Sequence, residues 1–507
     1  MDIINGFVFL FSNPSALMFV FIGAFTGIVA GAIPGLTASA AIAMLMPVTF
    51  YLDPLAALAF LYVVGKSGRF GGSIAAILFN TPGTTASAAT MRDGYPMTQQ
   101  GKVGKALKMA TVASVFGDFF GDIVLIFGAV FIASYTSRFG PPEYFAIYMM
   151  AFVVIGSVVG KSITKGILST LLGIIVSLIG LDPITGDVRM TMGIFELENG
   201  LALVPLLIGM FVFSEILVQV EKIGDKDELK IADMHSEDPG ANRLSWSEIK
   251  SVIPIMLRSS GIGSVIGMMP GLGSAVACFV AYGEEKRRSN DPEKWGTGII
   301  EGVAAPEASN NAVSGPSMIP LLTLGVPGST IAAILIGVFM IHGIQVGPSV
   351  FQTDRELIFG LFAAGLLGIA SYGLIGYFGG PLVGRVIAYF PPRLIYPFIF
   401  LTAFIASYSA RQSIFDIGLA LIFGVVGYFM QRTNFSAPAF IIAFVLAKGA
   451  EEAFRQSLLL SDSGLGIFLE RPIAIAFFAL GLFVVVGRVI SVTRLNRKMS
   501  RARSGSN

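Results

Sequence analysis

Apolar residues run through this chain in long blocks with few charges inside them. Residues 110–133 hold two charged side chains and residues 201–220 one, while residues 357–384, 394–410 and 473–487 hold none. About 18 or more nearly uncharged residues predict a membrane helix, because about 20 residues at a 1.5 Å rise cross the hydrocarbon. Backbone amides in lipid must be satisfied within their own segment, so these runs are helices. We expect an all-α, polytopic membrane protein of about 10–12 helices, the shorter segments being either spans or re-entrant hairpins.

The hydrophilic interruption at 221–250 has mixed charge and low apolar content, and reads as a linker. The expected layout is a first membrane half at 1–220, a polar linker at 221–250, a second half at 251–487 and a basic tail at 488–507. That tail carries Arg488, Arg494, Arg497, Lys498, Arg501 and Arg503 without an acid, which predicts a cytoplasmic C-terminus. Met1-Asp2-Ile3 lacks the basic stretch of a cleavable signal. The segment Gln99 to Lys108, with Lys102, Lys105 and Lys108 at helical spacing, reads as a surface helix rather than a span.

Each half is punctuated alike. Gly31-Ala32-Ile33-Pro34-Gly35-Leu36 in the first answers Gly267-Met268-Met269-Pro270-Gly271-Leu272 in the second. Further on, Thr81-Pro82-Gly83-Thr84-Thr85 answers Val326-Pro327-Gly328-Ser329-Thr330. Two matched pairs in the same order predict an internal duplication. Pro lacks a backbone donor and Gly tolerates non-helical dihedrals, so Pro34-Gly35 and Pro270-Gly271 break their helices at membrane depth. A helix restarting beyond a break aims free amides and its positive dipole end at the gap. Thr84, Thr85, Ser329 and Thr330 place hydroxyls at such restarts. An anion would be received there, as in transporters with paired broken helices; a set of packing kinks is the alternative.

Amide side chains flank the breaks. Asn80 precedes the first; Pro306-Glu307-Ala308-Ser309-Asn310-Asn311-Ala312 precedes the second, ahead of Gly325. Amides bind a carboxylate through N–H or a sodium ion through C=O, and Asn310 and Asn311 could equally cap a helix. Lys66 and Arg69, among Gly65, Gly68, Gly71 and Gly72, either meet an anion or snorkel to an interface. Asp118 and Asp122 lie four apart on one helical face. They are either candidates for proton or sodium coupling or interfacial residues at the start of a span.

Composition narrows the class. Of 507 residues, 54% are hydrophobic and 13% charged, against roughly 25% charged in a soluble domain. The net charge of +2 gives no reason to expect nucleic acid as a partner. Cys278 is the sole cysteine, so no internal disulfide forms. The histidines, His235 and His342, make no metal or catalytic cluster. Gly117-Asp118 and Gly121-Asp122 sit on one helix, unlike the aspartate pair of intramembrane proteases. Glu451-Glu452-Ala453-Phe454-Arg455 is one residue short of a prenyl-protein endopeptidase pattern. An enzyme is not expected, nor a cofactor or metal beyond a coupling sodium ion or proton.

The run from Gly27 to Pro47 with Pro34-Gly35-Leu36, the run Gly71-Gly72-Ser73-Ile74 through Asn80-Thr81-Pro82-Gly83, and Pro306-Glu307 through Gly325-Val326-Pro327-Gly328 resemble the TctA family. Glu452-Ala453-Phe454-Arg455-Gln456-Ser457-Leu458 resembles a late segment of it. TctA is the large membrane subunit of the tripartite tricarboxylate transporters. The resemblance implies a multi-pass subunit of an ion-driven secondary transporter in the bacterial inner membrane, taking up an organic acid such as citrate. It implies two protein partners besides lipid: a small membrane subunit (TctB-like) and a periplasmic solute-binding protein (TctC-like). A passive anion channel, or a membrane-embedded enzyme or scaffold, are the competing readings of the residues.

Overall fold

A computed structural model of the chain describes residues 2–136, 138–158, 162–182, 184–222, 240–389, 392–461 and 463–504. The helices of the first half are α1 (Asp2–Phe11), α2 (Pro14–Ala32), α3 (Ala38–Leu45), α4 (Pro54–Phe79), α5 (Ser87–Gln99), α6 (Val103–Thr136), α7 (Pro141–Val158), α8 (Ile163–Ser177) and α9 (Leu203–Glu221). A two-stranded hairpin, β1 (Gly180–Leu181) and β2 (Val188–Arg189), separates α8 from α9. The second half holds α10 (Trp246–Gly267), α11 (Gly273–Arg288), α12 (Ile300–Ala312), α13 (Met318–Leu324), α14 (Thr330–Ile341), α15 (Arg355–Tyr389), α16 (Pro392–Ser409), α17 (Ile414–Arg432), α18 (Ala437–Leu459), α19 (Ile467–Glu470) and α20 (Pro472–Ser504).

The all-α, polytopic expectation holds. Among the described residues, six helices are long and apolar enough to cross a membrane, five shorter helices are apolar, and α19 with α20 forms a pair bent by 84°. Phe21 and Phe25 on α2, Phe127 and Phe131 on α6, and Phe378 and Leu382 on α15 stand exposed. Water would not tolerate apolar faces of this extent, whereas lipid does. The supposed surface helix at 99–108 is instead the end of α5 and the first turns of α6. Its lysines are held there, Lys105 by Glu248 at 2.8 Å and Lys108 by the carbonyl of Asn242.

Residues form two compact units. One comprises Met1–Ser134 with Ala202–Phe429, the other Tyr135–Leu201 with Met430–Asn507. In the first unit, α4 is buried from Leu55 to Phe79. Asp53 caps its N-terminus, accepting from the Ala56 amide, and Pro54 supplies a favourable first residue. Its glycines admit α2 at close range: a Cβ at Gly31 would overlap the Gly68 carbonyl, and one at Gly71 the Ile28 carbonyl.

Both units contain the same three-helix cluster. In the second unit α7 and α8 pack against α18; in the first, α16 and α17 flank α9. Pro142 follows Pro141 at the start of α7 as Pro392 follows Pro391 in the sequence and opens α16, and Pro205, Ile208, Phe211 and Val212 of α9 recur at the same spacing as Pro438, Ile441, Phe444 and Val445 of α18. Each cluster therefore takes two helices from one half of the sequence and its third from the other. The units cut across the halves for that reason. Residues 223–239, most of the expected linker, lie outside the described residues.

Candidate functional site

The second Pro-Gly break of each half packs in the same way, against the end of the helix that precedes the first break and against the helix that leads into it. The Gly83 amide donates to the Gly72 carbonyl at 3.3 Å, and the Gly328 amide to the Ser317 carbonyl at 3.3 Å. A Cβ at Gly83 would meet the Gly31 carbonyl at 2.5 Å; one at Gly328 would meet the Gly267 carbonyl at 3.0 Å. Asn80 and Gly325, three residues before each of those glycines, both adopt the left-handed conformation that ends a helix, with φ of 52° and 71°. One constant offset in sequence number maps Gly68, Gly72, Asn80 and Gly83 onto Val313, Ser317, Gly325 and Gly328. The duplication read from the motifs thus reaches individual backbone hydrogen bonds.

The restarting helices cross between the halves. Ile331, at the start of α14, packs on Gly65 of α4 and faces Ile42 of α3. Its counterpart Ala86, at the start of α5, packs with Ala89 on Cys278 of α11. Thr84 ties its own break, its Oγ1 accepting from the Ser87 amide at 3.2 Å, and Ser329 caps α14 by accepting from the Ala332 amide at 3.2 Å. Thr81 donates to the Phe79 carbonyl; Thr85 is exposed and Thr330 half-buried. Pro34 and Gly35 lie apart from this pairing. The Pro34 carbonyl accepts from Tyr396, and Gly35 abuts Gln219. Pro270-Gly271 stays with its partner, the Gly271 amide donating to the Gly328 carbonyl at 3.3 Å.

A buried polar stripe runs down α4 through Tyr62, Lys66, Arg69 and Ser73, spaced to share one helical face. Lys66 Nζ lies 2.6 Å from Asp118 and 2.8 Å from Asp122, with both carboxylates on α6. Tyr62 donates to Asp122 at 3.2 Å and Tyr372 of α15 to Asp118 at 3.0 Å. All three charged side chains are 0–2% exposed, so the Lys66 ammonium is held inside the unit and does not snorkel to its surface. One ammonium shared by two carboxylates leaves an excess negative charge, and Oδ2 of Asp122 has no partner.

Arg69 is different. It too is buried, yet among the described residues its one hydrogen bond is a long one, from Nη1 to the Asn310 carbonyl at 3.4 Å, and its Nε finds no partner there. No carboxylate among the described residues is within ion-pair distance of it. Beside it on α12, the side chains of Asn310 and Asn311 are buried with both the amide nitrogen and the oxygen unpaired. They cap nothing, since α12 ends at Ala312 and the next helix begins at Met318. Unpaired buried amides and an unneutralised guanidinium are costly, and together they offer donors for a planar anion.

Reading the sequence missed six residues of this centre as site members: Tyr62, Tyr372, Glu307 and the three hydroxyl donors to Glu307. Glu307, one turn before Asn310 and Asn311, accepts from Ser73 of α4, Thr90 of α5 and Ser114 of α6. Ser114, Asp118 and Asp122 fall at successive four-residue steps along α6, a stripe visible in the sequence. That Ser73 and Thr90 join it was not.

In the second unit, a cavity of about 710 Å³ is lined mainly by apolar side chains, including Phe145, Phe152, Ile167, Leu171 and Phe454. At its edge Glu451 pairs with Arg189 at 2.8 Å and with Arg455 at 2.8 Å. Asp182, in the hairpin, accepts from the Thr185 and Ile184 amides and from Arg455. Those backbone donors first, then Arg455, hold its carboxyl down at about 2. Glu451, weighed as part of an endopeptidase pattern, is thus a member of a structural ion-pair network.

Residues 17–442 match the Tripartite tricarboxylate transporter TctA family. The chain is 32% identical, over 98% of its length and 98% of the relative's, to a protein of Agrobacterium vitis described as an uncharacterized 52.8 kDa protein in the TAR-I ttuC' 3' region. It is 34% identical, over 46% of its length and 97% of the relative's, to a second A. vitis protein described as uncharacterized and in the TAR-II ttuC' 3' region. No solved structure matches.

Proposed function

The chain belongs to the tripartite tricarboxylate transporter TctA family, and from that premise we propose that it is the large membrane subunit of an ion-coupled secondary transporter for a small organic di- or tricarboxylate. The observation that supports this reading is Arg69: a buried guanidinium that has no carboxylate partner among the described residues, beside two asparagines whose amides find none there either. A substrate carboxylate supplies what each of them lacks. The breaks around Thr84, Thr85, Ser329 and Thr330 add helix N-termini and hydroxyls from both halves. Asn80, Thr81, Pro82, Gly83, Gly325, Pro327 and Gly328 shape those breaks.

Coupling falls to the neighbouring ion cluster. Lys66 neutralises one of Asp118 and Asp122, and the remaining charge takes up a proton or a sodium ion that travels with the substrate. A periplasmic solute-binding protein delivers the acid and a small membrane subunit completes the assembly, in the bacterial inner membrane. The basic tail sets the C-terminus in the cytoplasm. The end of α18, and the hairpin that Arg455 ties to it, then lie on the periplasmic side.

Uptake of labelled di- and tricarboxylates into cells carrying all three components tests the reading. Accumulation above the equilibrium level, abolished by collapsing the ion gradients and lost in Asn310→Ala, is the expected result. Flux that only equilibrates the acid and ignores both gradients would instead mark a passive channel. Correct insertion without any flux would mark an enzyme or scaffold.

A further inference from the structure

Among the described residues Glu307 has no cation beside it, although it is wholly buried in the first unit. Four helices converge on its carboxylate. Ser73 and Thr90 both donate to Oε1, and Ser114 donates to Oε2 at 2.8 Å. None of the described basic side chains forms an ion pair with it, so the charge stands uncompensated where water is excluded.

A second buried carboxylate in the same unit shows what a purely structural acid looks like here. Asp93 accepts from the backbone amides of Gly296, Gly298 and Ile299 and from the Tyr282 hydroxyl. Amide N–H groups cannot turn round to offer lone pairs. The donors at Glu307 are all hydroxyls, each of which carries two lone pairs as well as a proton and rotates freely. The same five oxygens that now exchange hydrogen bonds can face a positive ion.

We propose that Glu307, Ser73, Thr90 and Ser114 form a binding site for a monovalent alkali cation, sodium in particular. The ligand set is all oxygen, as a hard cation requires. The single carboxylate balances one positive charge, whereas a divalent ion would leave a net charge buried. Side chains drawn close from four helices favour the smaller sodium ion over potassium. The site adjoins the substrate region, since Glu307 lies one turn from Asn310 and Asn311 on α12, and Ser73 one turn from Arg69 on α4. It also meets the Lys66 cluster, because Tyr372 donates both to the Ser114 carbonyl and to Asp118. The site rests on the transport reading only for the use made of the ion.

The test is thermal denaturation of the purified full chain in detergent, with sodium chloride titrated against choline chloride at constant ionic strength. A ligand that binds only the folded state raises the midpoint with concentration. Sodium should raise it saturably and potassium at equal concentration should not. Glu307→Gln, which keeps the side-chain shape, should abolish the response. Thr90→Ala, which removes one ligand and leaves the carboxylate, should raise the half-saturating sodium concentration by about tenfold or more. A wild-type midpoint indifferent to sodium overturns the proposal, as do variants that respond like wild type. A response to pH alone, with Glu307 simply protonated, overturns it too. Sodium binding without any solute uptake would leave this site standing and remove the transport reading; gradient-driven uptake together with a midpoint indifferent to sodium would do the reverse.

Discussion

Lys66 Nζ sits 2.6 Å from Asp118 Oδ1 with both side chains fully buried. Two helices distant in sequence, α4 and α6, are thereby pinned by charge at the centre of a membrane unit. Removing one partner of such a pair strands the other charge and typically costs about 3–5 kcal/mol. Lys66→Met, which preserves length and removes the charge, should sharply lower the thermal midpoint in detergent. Lys66→Met with Asp118→Asn should recover part of the loss. Equal midpoints for wild type and Lys66→Met would show that the cluster contributes nothing to the fold.

The helix breaks were legible in the sequence because Pro and Gly act on their own backbone. The repeated order of Pro34-Gly35 and Pro82-Gly83, then Pro270-Gly271 and Pro327-Gly328, needed no tertiary information. Asp118 and Asp122 were legible as one face of one helix for the same reason. Their partner was not. Lys66 and Arg69 lie three apart in one small-residue cluster, and nothing local says that one is neutralised and the other open. That depends on which face of α4 meets α6 and which meets α12. The hydroxyls around Glu307 come from three separate helices, so their meeting is a property of packing alone. The exchange of α9 and α18 between the clusters was hidden likewise, since sequence order assigns each to its own half.

Duplication implies matched sensitivity. A Cβ at Gly83 would stand 2.5 Å from the Gly31 carbonyl, and one at Gly328 2.7 Å from the Ser317 carbonyl. Backbone cannot give way cheaply there, so Gly83→Ala and Gly328→Ala should each destabilise by about 1–3 kcal/mol. Gly261, in α10, has nothing within 4 Å of its added Cβ. Gly261→Ala should be neutral or slightly stabilising, as alanine favours a helix by up to about 1 kcal/mol. Thermal midpoints of the three variants check this, and a tolerant Gly328 beside an intolerant Gly83 would contradict the equivalence.

The hairpin of the second unit should respond to acid. Asp182 has its carboxyl held down at about 2, below the roughly 3.9 of an unfolded aspartate. A depressed folded value means that its contribution is complete above the unfolded value and fades as pH falls towards about 2. Between pH 5 and pH 2 the segment at 180–200 should lose protection in hydrogen exchange or become open to an acid protease. Asp182→Asn should be unprotected at both pH values. Equal protection of the wild-type hairpin at pH 5 and pH 2 would show that the Asp182 contacts do not hold it.

Asn80 and Asn310 should part company, though both flank a break. Asn80 is exposed and holds a left-handed helix end, a conformation glycine adopts freely. Asn80→Gly should therefore preserve uptake within about twofold, because Gly325 already serves in the matching place. Asn310→Ala, which deletes a buried amide beside Arg69, should reduce uptake about tenfold or more, in line with about 1–3 kcal/mol for one lost partner of a buried polar contact. Uptake assays at matched membrane levels of each variant decide it, and equal losses would mean that the amide at Asn310 has no special part.

The open guanidinium of Arg69 is tested most directly by the initial rate of substrate uptake in Arg69→Ala, assayed with all three components at a fixed concentration of substrate-loaded binding protein. Losing a charged contact to a buried carboxylate costs about 2–5 kcal/mol, so the rate should fall at least about 30-fold while thermal stability in detergent holds or rises. An Arg69→Ala transporter that takes up the acid at the wild-type rate would contradict the account.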